Sequence, residues 1–136
     1  MLPNGNLAEE TICQAKLRRS FRNVQAFLDS CKSYDVANFI RSDAEKTDLA
    51  ADVNVFDVSH SYSAAGLDIT PIIACQGTML MMHAIMPFKK IVTNRLHAAA
   101  AAALMGKEVE MHDNDYGKLE AVWKMSMQHF SNVKFV

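Results

Sequence analysis

Phe88-Lys-Lys-Ile-Val-Thr-Asn-Arg-Leu-His-Ala-Ala-Ala-Ala-Ala-Ala-Leu-Met-Gly106 is the stretch on which the reading of the fold turns. Phe88, Ile91, Val92, Leu96, Ala99 and Ala103 recur at helical intervals, and Ala98 to Ala103 are six consecutive alanines, the residue of strongest intrinsic helix propensity. The spacing predicts one helix from Phe88 to Met105, closed by Gly106 in the left-handed conformation that ends many helices. The thin profile of the alanine run lets another backbone approach closely. Ala99 and Ala103 are therefore candidate contact residues, within the chain or between chains.

Upstream, Thr70-Pro71 reads as an N-cap followed by proline in the first helical position, where its missing N–H is harmless. A helix should run through Ile72, Ile73, Met79, Leu80, Met81, Met82 and Ile85 until Pro87 disfavours helical geometry at Met86. The two predicted helices thus form a proline-broken pair. The stretch from Ile69 to Phe88 is uncharged, but a helix between Pro71 and Met86 reaches only about 24 Å against roughly 30 Å of hydrocarbon, so a core helix is expected and no membrane span. Met79, Met81, Met82 and Met86 are four of the nine methionines in the chain. Methionine adapts to irregular surfaces, so Met79, Met82 and Met86 are candidates for a protein interface, with core filling as the plainer alternative.

Towards the N-terminus, Asn6 and Glu9 mark a helix start, and Leu17, Phe21, Val24, Leu28 and Cys31 follow on one stripe. Lys16, Arg18, Arg19 and Arg22 give the same helix a basic side, and Lys89, Lys90 and Arg95 form a second, looser basic group. Either group can meet phosphates of a nucleic acid or acidic groups of a protein partner, although a basic helix face is most often its solvated side. From Lys32 to Ile69 the periodicity weakens. Short helices are expected at Tyr34 to Ile40 and Ala44 to Ala51, a minor strand at Val53 to Val58 with no clear partner strand, and a loop from Ser59 to Gly66.

Beyond Gly106, Lys107 to Asp115 reads as a polar connector. Leu119, Val122, Trp123, Ser126, Phe130 and Val133 then predict a terminal amphipathic helix from about Tyr116 to Phe130. Taken together, residues 1–136 are expected to form a single helical domain. The expected class is all-α, a compact multi-helix bundle with neighbours mostly antiparallel and at most a minor β element near 53–58.

Composition narrows the function classes. At 136 residues, 50% apolar and 21% charged, the chain has enough apolar material for one core without crosslinks or metal. A net charge of -1 excludes a surface built throughout for nucleic acid or anionic lipid, so such binding would need a local patch. Cys13, Cys31 and Cys75 are odd in number and widely spaced, which suits reduced thiols in a cytoplasmic, intracellular protein better than a disulfide framework. Met1 to Asn6 lacks the basic and apolar regions of a secretion signal.

His60, His83, His97, His112 and His129 show no zinc-site spacing, and no phosphate-binding loop or nucleophile elbow is present, so no metal or cofactor is expected. Ser59-His60-Ser61 beside Asp57 offers the right groups for nucleophilic catalysis, but sequence neighbours rarely have triad geometry. The expected function is therefore non-catalytic: a helical protein acting by protein–protein contact, as an assembly subunit, adaptor or inhibitor, a coat or packaging role included. The alternatives are nucleic-acid binding through the basic face of the first helix, and a small enzyme whose distant residues, such as Asp57, His60 and His97, converge in a pocket.

Overall fold

The segment Ile91-Val-Thr93 is extended, and this overturns the all-α expectation. In the computed structural model, which describes residues 4–41, 53–57, 71–114 and 117–136, β2 (Lys90–Thr93) precedes α3 (Leu96–Leu104), so Phe88 to Met105 is not one helix. Three β-branched side chains in a row favour a pleated backbone, and Arg95 is still extended at φ -101°, ψ 121°. Helical geometry begins only where the alanine run takes over. Its end follows the expected form: Gly106 has φ 76°, its N–H donates to Ala103 O (3.1 Å), and Lys107 N–H donates to Ala102 O (3.0 Å). These two bonds satisfy carbonyls that the helix itself cannot.

Around β2 lies a four-stranded parallel sheet. Its strands are β1 (Val36–Phe39), β2, β3 (Glu108–Met111) and β4 (Val133–Phe135), paired in the order β1-β2-β3-β4. The protein is thus mixed α/β and not a helical bundle, and its parallel strands are linked by crossovers instead of antiparallel helix pairs. β1 occupies the stretch expected as a helix at Tyr34 to Ile40, and β3 lies within the expected connector Lys107 to Asp115. The terminal helix is shorter than expected: α4 (Lys118–Val122) passes into one π-helical turn (Trp123–Met127), and Val133 belongs to β4. Ala44 to Ala51 and Ser59 to Gly66 lie outside the described residues.

Two helices stand where the periodicity placed them, α1 (Asn4–Ser30) and α2 (Pro71–Ile85), the latter ending before Pro87. Of the segment Val53 to Val58, Val55 forms a parallel bridge with Asn38 on the outer side of β1. Asn38 N–H donates to Asn54 O (2.9 Å), Phe56 N–H donates to Asn38 O (3.0 Å), and the Asn54 side chain donates to Ser33 O and Val36 O.

Register and burial together give the sheet two different faces. Ala37, Ile91, Val109 and Val133 are neighbours across the strands, as are Phe39, Thr93 and Met111, and all seven are buried. Against them pack Val24, Phe27 and Leu28 of α1, Ala84 and Ile85 of α2, Phe88, and the buried alanines of α3. Phe27, Phe39, Phe56 and Phe88 form an aromatic cluster with ring centroids 4.8 to 6.4 Å apart. The alternate positions carry Asn38, Lys90, Glu108, Glu110 and Lys134 beside Val36 and the buried Val92, with Lys90 Nζ 3.9 Å from Glu108 and 3.7 Å from Glu110. Most parallel sheets are apolar on both faces. Among the described residues, no helix is long and apolar enough to cross a membrane.

Candidate functional site at the carboxyl end of the second strand

The order β1-β2-β3-β4 contains no reversal that would open a crevice between strands, but at the carboxyl ends of parallel strands side chains leave the sheet on short loops, where functional groups of α/β proteins gather. At that end of β2 stand Thr93, Asn94 and Arg95, each tied to a different part of the chain. The Thr93 hydroxyl donates to Phe39 O at the end of β1 (2.6 Å) and accepts from Arg95 N–H (2.9 Å). Asn94 Oδ1 accepts from Arg41 N–H just beyond β1 (2.8 Å). Arg95 holds Asp57 through Nε (3.0 Å) and Nη2 (2.7 and 2.8 Å).

The electrostatics follow from burial. Asn94 is fully buried, and its Nδ2 has no hydrogen-bond partner among the described residues. An unmatched buried donor is costly to keep, which is why such groups concentrate where function needs them. α3 begins at Leu96 without a side-chain cap, so its first amides and the positive end of its dipole face the same corner. The next strand ends nearby in sequence register: His112 N–H donates to Thr93 O (2.9 Å), and His112 Nε2 lies 3.8 Å from Glu110. Asp113 Oδ1 accepts from Asn114 N–H (2.9 Å). An ion pair, an amide with no partner among the described residues and a helix N-terminus without a side-chain cap are groups that suit the oxygens of an anion.

The residues singled out from sequence are dispersed. Arg18, Arg19 and Arg22 are exposed on α1 and Lys16 is half-buried there. Lys89 and Lys90 stand at the opposite end of β2 from Arg95 and form no patch with it. Lys89 pairs with Asp35 (3.5 Å), Lys90 with the two glutamates, and Arg95 with Asp57. Met79, Met82 and Met86 are exposed on and just beyond α2, whereas Ala99 and Ala103 are buried in the chain's own core against the sheet. Among the described residues no group of three or more His, Cys, Asp or Glu is placed to hold a metal ion. His60 lies outside them.

Thr93 and Asn94 were missed because the helical reading absorbed them. The signal was a short polar residue, Asn94, between a β-branched run and the alanines. Elsewhere, Cys31 and Cys75 are free thiols. Burial pushes the Cys31 thiol above its ordinary range, and Sγ donates to Phe27 O (3.2 Å).

The sequence matches no protein-family profile and no curated protein. Among solved structures it is similar to the crystal structure of a functionally uncharacterized protein from Klebsiella pneumoniae subsp. pneumoniae, with 30% sequence identity and a TM-score of 0.63. The match covers 82% of this chain and 40% of that one, so the chain spans well under half the length of the structure it resembles.

Proposed function

We propose that the chain is an α/β unit that binds an anionic small molecule at the carboxyl end of β2. One observation carries this reading: Thr93, Asn94 and Arg95 are three consecutive residues locked by contacts to Phe39, Arg41 and Asp57, which pre-organises the uncapped start of α3. Pre-organised donors bind oxygen atoms without an ordering penalty at the moment of binding. The ligand would lie on the amides of Leu96 to Ala98, with Arg95 kept in place by Asp57 and His97 of the first α3 turn exposed beside it. Free thiols at Cys31 and Cys75 support a reducing, cytoplasmic setting for this activity.

NMR titration of the protein with inorganic phosphate and pyrophosphate is the direct test. The expected result is saturable shifts confined to the amides of residues 94–98 and 112–114, strongly weakened in Arg95→Lys. Titrations that leave those amides unmoved at millimolar anion would remove the reading.

A second reading is supported by a different surface. Met79, Met82, Met86 and Phe21 expose 37 to 61% of their area on or next to α1 and α2, which favours contact with another protein through that side.

A further inference from the structure

α1 carries its apolar stripe further than its cover extends. Val24 and Leu28 are buried, but one and two turns towards the N-terminus Phe21 and Leu17 line an open cleft of about 640 Å3 between α1 and α2. Met79 and Leu80 form the facing wall, and the Phe21 ring lies nearly parallel to that of His83, 6.2 Å away and tilted by 13°. The cleft is mainly apolar, but His83, whose buried Nε2 has no hydrogen-bond partner among the described residues, also lines it. At its margin Arg18 and Arg22 stand one turn apart, with Gln76 across from them.

Among the described residues, the charge of that margin is one-sided. α2 contains no acidic residue, α1 has none between Ile12 and Asp29, and Asp29 accepts a hydrogen bond from Gln25. Neither guanidinium forms an ion pair among the described residues, whereas Lys89, Lys90 and Arg95 all do.

We propose that the cleft takes an acidic amphipathic helix of another protein, its apolar side against Leu17, Phe21 and Met79 and its carboxylates on Arg18 and Arg22. This rests on the protein-contact reading above and names the partner's chemistry. A groove between two helices receives a third helix at ordinary packing distances, with anchors at i, i+4 and i+7. Flexible methionine fits such anchors without demanding one shape. A second copy of the chain is a poor occupant, because a two-fold contact through this face would bring Arg18 and Arg22 of both copies together.

The test uses two dye-labelled helical peptides of about 18 residues, long enough to be helical on a surface, with leucine anchors flanked by glutamate in one and lysine in the other. Fluorescence anisotropy should show the glutamate peptide binding at least about tenfold more tightly than its lysine twin, with affinity falling as salt rises. Arg18→Glu/Arg22→Glu should invert that preference, and Met79→Glu should weaken the glutamate peptide about tenfold or more while circular dichroism stays unchanged. Equal binding of both peptides, still lost in Met79→Glu, would overturn the acidic class and leave the contact reading standing. No binding of either peptide overturns both. Decanoate binding in the cleft without peptide binding, or a concentration-dependent dimer abolished by Met79→Glu, overturns the proposal in favour of a small amphiphile or a second copy.

Discussion

Arg95 grips Asp57 with both a bidentate Nη2 contact and its Nε, across 38 residues of sequence, and the Asp57 side chain is only 4% exposed. The pair fastens the segment beside β1 to the start of α3. The candidate anion site is therefore built on a contact that also holds the outer edge of the sheet.

Removing the cation exposes that dependence. Arg95→Ala leaves the buried carboxylate without its guanidinium, and breaking a buried pair in this way costs about 3–5 kcal/mol. Urea unfolding should show the loss, with Asp57→Asn/Arg95→Ala recovering part of it. A loss below about 1 kcal/mol, the range of a surface pair, would mean that the contact is solvated in solution.

Thr93 serves two partners with one hydroxyl. Thr93→Val keeps the β-branched shape but leaves Phe39 O without its donor and Arg95 N–H without its acceptor, costing about 1–3 kcal/mol in thermal or denaturant unfolding. Thr93→Ser retains both bonds and should lose clearly less. Equal losses for valine and serine would point to packing, not hydrogen bonding, as the role of this side chain.

Gly106 has φ 76°, and no heavy atom lies within 4 Å of where a Cβ would stand. Substitution there meets open space, so only backbone strain opposes it. Gly106→Ala should destabilise by about 1–2 kcal/mol, and Gly106→Asn by less, because asparagine tolerates left-handed geometry better. Comparable unfolding midpoints for wild type and Gly106→Ala would show that the turn relaxes.

Cys31 provides a pH signature. Its thiol is raised in the folded state by burial, so folding favours the protonated form. The associated stability is complete below the ordinary thiol value of 9.0 and declines as pH rises above it. Cys31→Ala should remove that decline from the stability profile. In alkylation at mildly alkaline pH, exposed Cys75 should react well before Cys31. Reaction at equal rates would contradict the burial.

The parts legible in the sequence were those with long local periodicity. α1 and α2 are 27 and 15 residues, long enough for a stripe to repeat, and Pro87 and Gly106 are punctuation that acts locally. The strands are three or four residues each, too short to show alternation, and Phe88, Ile91 and Val92 happen to lie at helical spacing from the alanines that follow. The alanine run then extended its helix backwards over β2. The site was hidden for a different reason. Asp57 and Arg95 both drew notice, one as a carboxylate beside His60 and the other as a phosphate contact, but only the sheet brings them together. Sequence distance conceals such pairs because the bonds that join them are tertiary.

The order β1-β2-β3-β4 also bears on how the chain acquires its shape. Lys107 and Asn132, joined by a hydrogen bond near the start of β3 and β4, are 25 residues apart, whereas Phe39 and Thr93, at the ends of β1 and β2, are 54 apart. Closing the longer loop forfeits more chain entropy before any contact compensates it. Loop-closure entropy alone thus favours closing the segment from β2 to β4 before β1 docks. In native-state hydrogen exchange, the amides of Val36 to Phe39 should open with a lower free energy than those of Ile91 and Val109, making the first strand the seam along which the molecule comes apart.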